Sequence, residues 1–64
     1  MNSRQVIKLI EQAGWRFQSS RGSHHQFTHP MIPGRVTVVH AKKDVSIGML
    51  KSIERQSSVK LRKR

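Results

Sequence analysis

Between Ser3 and Ser57 the apolar residues change their spacing twice, and this change constrains the fold more than any other feature of the chain. Val6, Leu9, Ile10 and Ala13 fall at i, i+3, i+4 and i+7, the stripe of one helix face. Arg4, Lys8, Glu11 and Gln12 take the wet side. Ser3 can cap this helix through its side-chain oxygen. Gly14 stands where a left-handed C-terminal cap is needed. From residue 15 the period becomes two. Trp15 and Phe17 alternate with Arg16 and Gln18 over 15–20, a strand with one buried face that takes both aromatics into the core. Arg21, Gly22 and Ser23 supply turn chemistry. Alternation resumes over 24–29 with Phe27 as its apolar anchor, and again over the β-branched segment 35–40, where Val36 and Val38 are the expected core pair. Pro30 to Gly34 breaks the pattern and reads as a loop. Met49, Leu50 and Ile53 then restore a helical stripe ending near Gln56 and Ser57, with Asp44 or Ser46 as its cap.

The order is helix, three strands, helix. Short connections make the strands antiparallel, so the expected fold is α+β, α-β-β-β-α: a three-stranded sheet with both helices on one face. This is also the order of double-stranded-RNA-binding domains. The other sheet face is left open to solvent. Residues 1–58 form one domain, and 59–64, with little to bury, is expected to be a flexible basic tail.

Charge says what such an open face would meet. Thirteen Lys and Arg oppose only Glu11, Asp44 and Glu54, for a net +10. Without the four cations of the last five residues, nine still oppose three acids, leaving +6. A field of that sign favours polyanions: nucleic acid, an acidic protein or an anionic membrane surface. With no cysteine, neither a disulfide nor a thiolate nucleophile is available. No apolar run approaches the roughly 18 residues of a membrane span, and Lys8 interrupts the only apolar stretch near the N-terminus. A soluble, cytoplasmic protein without a membrane partner is expected.

Four histidines carry the candidate chemistry. If Phe27 is in the core, period-two alternation turns His24 and Gln26 to the open face and His25 inward. Histidine can take and give protons near neutrality. Cleaving RNA needs a base for the 2′-hydroxyl proton and cations for the charge that develops at phosphorus. His24 is the candidate general base or acid, with His40 or His25 next in line; Arg21, Lys42 and Lys43 are the candidate RNA-binding cations. A zinc site built from His24, His25, His29 and His40 is disfavoured, because His24 and His25 point oppositely, no thiolate exists and the acids lie outside the cluster. Ser23 beside His24 lacks a buried acid to complete a nucleophilic pair. The scarcity of carboxylates points away from a magnesium mechanism, so no metal or other cofactor is expected.

These residues also carry a family resemblance. Gly14-Trp15, Gly22-Ser23-His24-His25-Gln26-Phe27, His29-Pro30, Gly34-Arg35-Val36-Thr37-Val38 and His40, in that order and spacing, closely resemble the HicA toxins of bacterial toxin–antitoxin systems. The resemblance runs from Ser3 to about Gln56. It implies a double-stranded-RNA-binding-domain-like fold and a messenger-RNA interferase that arrests translation and growth. It maps the family's essential histidine onto His24 and a supporting backbone position onto Gly22. It also implies a HicB antitoxin as partner. The chain departs from the family at Val39 and Ala41, where prolines are common, and at Ser57-Ser58-Val59, where the second helix usually closes with glycine. A non-catalytic RNA-binding module on the same sheet is the alternative reading, and a basic protein made chiefly for an acidic partner is another.

Overall fold

The computed structural model describes residues 1–40 and 44–61. The chain runs α1 (Ser3–Gln12), β1 (Arg16–Arg21), β2 (His24–Thr28), β3 (Val36–Val39) and α2 (Ile47–Ser57). The strands make one antiparallel sheet in the order β1-β2-β3. Both helices pack against β3. The expected α+β architecture is therefore present.

Register explains which face is covered. Phe27 pairs with Val36 and His25 with Val38, and directly paired residues share a face. Phe27, Val36 and Val38 are buried together with Val6 and Ile10 of α1 and Leu50 and Ile53 of α2. The helices thus cover one face, and the opposite side of β2, with His24 and Gln26, is left to solvent.

The helix starts differ from expectation in one case and resolve an alternative in the other. Asn2, not Ser3, caps α1: its Oδ1 accepts from Gln5 N at 2.8 Å while Gln5 Oε1 accepts from Asn2 N at 2.9 Å. Glutamine three residues after the cap closes this reciprocal pair. Counted from Ser3, the same place is held by Val6, which cannot reach back. Ser3 is instead the first helical residue and is buried. Ser46 caps α2, its Oγ accepting from Met49 N at 3.2 Å. Asp44 lies further upstream, bridged to Asn2, and Val45 N donates to Met1 O at 2.8 Å. These contacts tie the approach to α2 to the start of α1.

The two aromatics of the first alternating segment part company. Trp15 is 1% exposed, its indole Nε1 donating to Ser57 O at 3.1 Å across the C-terminus of α2. Phe17, expected in the core, is 53% exposed. It stands on the covered face, opposite Phe27 with ring centroids 5.9 Å apart. Yet β1 is the edge strand away from β3, where the helices pack. The face is right and the cover is missing.

The segment after α2 also buries more than expected. Leu61 is 6% exposed and belongs to the core, and its N–H donates to Glu54 Oε2 at 2.7 Å. Ser58 caps α2 with φ 61°, the left-handed region.

Candidate functional site

The site begins at the β1–β2 turn. Two residues, Gly22 and Ser23, join the strands, and Arg21 pairs with His24 across them. Gly22 has φ +59°, and nothing lies within 4 Å of where its Cβ would be. Glycine is needed here for its backbone angle rather than for space. A positive φ at the first of two loop residues is the II′ hairpin pattern, whose twist matches that of the strands. Ser23 O accepts from His40 N at 2.7 Å, so the turn is also held by the chain leaving β3.

This turn places His24 as the first residue of the central strand, between Arg21 on β1 and Val39 on β3. His24 is exposed and Phe27 is buried, as alternation requires. His24 lines an open groove of about 570 Å³ with Ser19, Ser20, Arg21, Gln26 and Arg35. No carboxylate is among these lining residues, so the groove is cationic and rich in hydrogen-bond donors.

Of the expected cations, Arg21 is beside His24; directly opposed strand positions put their Cβ atoms about 5 Å apart. Lys42 and Lys43 lie outside the described residues. Arg35 lines the same groove, although it was not among the expected site residues. It donates from Nη1 to Gln26 Oε1 at 2.9 Å. Its signal was present in the alternation, since a residue next to the inward Val36 must face the open side.

The other histidines are elsewhere. His25 is half-buried on the covered face, its ring 5.8 Å from Phe17 and 5.2 Å from His40. Those two, next in line for catalysis, do not line the groove. His29 is a structural brace. Its Nδ1 accepts from Met31 N at 3.0 Å, which leaves Nε2 to donate to Ala13 O at 3.0 Å. Its ring also packs edge-on to Trp15 at 5.2 Å. A Cβ on Gly14 would meet His29 Nε2 at 2.6 Å, so that glycine serves both its φ of +102° and this ring. His24 and His29 thus stand apart from the His25–His40 pair, and among the described residues no cluster of three or more His, Asp or Glu could hold a metal ion.

Helix, antiparallel three-stranded sheet and helix, with a cationic histidine-bearing groove on the bare face, define a small α+β domain of double-stranded-RNA-binding-domain type in fold. The chain belongs to the family described as HicA toxin of bacterial toxin-antitoxin, whose family model matches residues 3–59. It is therefore a toxin whose family implies an antitoxin partner. No curated protein matches the chain in sequence comparison. No helix among the described residues is long and apolar enough to cross a membrane.

Proposed function

We propose that this toxin is a messenger-RNA interferase: an endoribonuclease in which His24 is the catalytic base and Arg21 and Arg35 hold the RNA backbone. The observation that carries this reading is one exposed imidazole in a groove with two guanidinium groups and no carboxylate. In its neutral form His24 takes the proton of a ribose 2′-hydroxyl. The 2′-oxygen attacks the adjacent phosphorus, the bond from phosphorus to the 5′-oxygen breaks, and a 2′,3′-cyclic phosphate remains on the upstream fragment. The leaving 5′-oxygen takes a proton from the imidazolium or from water. The Arg21 guanidinium, level with His24, stabilises the charge on the phosphoryl oxygens during this exchange. Gly22 supports the turn that presents His24.

The reading routes no step through a metal ion. Glu11, Asp44 and Glu54, the three acids of the chain, do not line the groove. The partner that restrains the toxin is a HicB-type antitoxin, and the site of action is the cytoplasm, where transcripts are.

The test is His24→Ala in the full chain. RNA binding should persist, because Lys and Arg make the phosphate contacts. Cleavage should fall about 10²- to 10⁴-fold, the usual contribution of a general acid or base, and growth arrest on induction should disappear. Cleavage at the parent rate would remove His24 from the chemistry. RNA binding without strand scission by the parent protein would favour a non-catalytic RNA-binding module.

A further inference from the structure

We infer that Arg35, held by Gln26, forms a second phosphate subsite in the groove, next to the position where His24 acts. The inference rests on the RNA reading of that groove and adds a residue and a ligand class to it: the phosphodiester neighbouring the reacting one on a single RNA strand.

A guanidinium only donates, so the Gln26 atom facing Arg35 Nη1 at 2.9 Å is the amide oxygen. The Gln26 NH₂ is thereby turned away from Arg35 as a further donor. Arg35 uses one of its five N–H groups on this bond, leaving a planar fork for an anion. Among the described residues, no carboxylate lines the groove to occupy it.

Position follows from register. Gln26 pairs with Thr37, and Arg35 lies two residues before Thr37, immediately ahead of β3. The Arg35 side chain therefore runs back along β3 toward the level of Gln26. Gln26 is two residues from His24 on the same face of β2, a displacement of about 7 Å along the strand. Arg21 pairs directly with His24. The groove thus has two cationic stations, Arg21 at the level of the imidazole and Arg35 one step along. Gln26 limits the freedom of a long side chain before RNA arrives, which lowers the ordering cost of binding.

The experiment uses the full chain and a single-stranded RNA oligonucleotide, with binding measured across a salt series and cleavage measured at saturating and limiting RNA. Arg35→Ala should weaken binding about tenfold and make the slope of log affinity against log salt shallower by about 0.7, the value for one phosphate contact on a single strand. The loss in cleavage should be larger at limiting than at saturating RNA, the split expected of a contact made alike in the ground and transition states. Arg35→Lys should retain the salt slope. Gln26→Ala should weaken binding less than Arg35→Ala, and the double variant should bind no worse than Arg35→Ala alone. Unchanged affinity and slope in Arg35→Ala would overturn the subsite, as would strictly additive losses in the double variant. If the parent binds RNA with an Arg35-dependent slope but cuts nothing, the ribonuclease reading fails and the subsite stands. If it cuts RNA and Arg35→Ala binds like the parent, the reverse holds.

Discussion

Among the described residues, His24 is the one imidazole lining the groove, and no carboxylate lines it. Gly22, which turns the chain into His24, has φ +59°, so Gly22→Ala should cost roughly 1–2 kcal/mol of stability, seen as a lower midpoint in urea. An unchanged midpoint would show that the turn takes a residue with a Cβ without strain. That His24 faces solvent was legible in the sequence, because an inward Phe27 fixes the side of a residue three positions away in a strand. That Arg21 sits opposite His24 was not, because the pairing depends on the turn having two residues rather than three. His29 shows the converse. Its residue type invites a chemical role, while its two hydrogen bonds, to Met31 N and Ala13 O, make it a clamp between the β2–β3 loop and the end of α1.

Among elements, the end of α2 carries a visible conflict between residue and backbone. Ser58 takes φ 61° while its N–H bonds to Glu54 O at 2.9 Å. A non-glycine residue in that region costs roughly 1–2 kcal/mol, part of which glycine loses again through its greater unfolded freedom. Ser58→Gly should therefore stabilise the protein by up to about 1 kcal/mol, seen as a higher midpoint in urea with an unchanged slope. A lower midpoint would mean that the Ser58 side chain makes a compensating contribution. The absence of the family's glycine was legible; the left-handed angle persisting without it was not. Val39, in a position where a proline is common, instead pairs with His24 as the last residue of β3. The following His40 N–H secures the β1–β2 turn through Ser23 O. The Asn2–Gln5 box at the start of α1 was present in the sequence as an Asn-x-x-Gln pattern, and was obscured by the equally suitable serine one residue later.

For the molecule as a whole, a chain of 64 residues has few apolar side chains to spare, and Leu61 joins the core from beyond the last helix. Leu61→Ala should cost about 3 kcal/mol, the usual scale for removing a buried leucine. That is a large part of the stability expected at this size, about 3–10 kcal/mol. Chemical denaturation gives the number; a loss under 0.5 kcal/mol would show that Leu61 adds little to the core. The sequence by itself determined the order of elements, the face each residue of β2 and β3 takes and the sign of the molecular charge. These follow from periods of 3.6 and 2 and from composition, both local to the chain. In β1 a register shift between Phe17 and Ser19 turns Ser19 and Arg21 to the open side against the period of two. Only the tertiary structure decided which inward residues are actually covered and which cations share the groove with His24. Trp15 and Phe17 point to the same side, but one is roofed by the end of α2 and the other stands on an edge strand that no helix reaches. Cover depends on where elements distant in sequence come to rest, and alternation along a single strand carries no record of that.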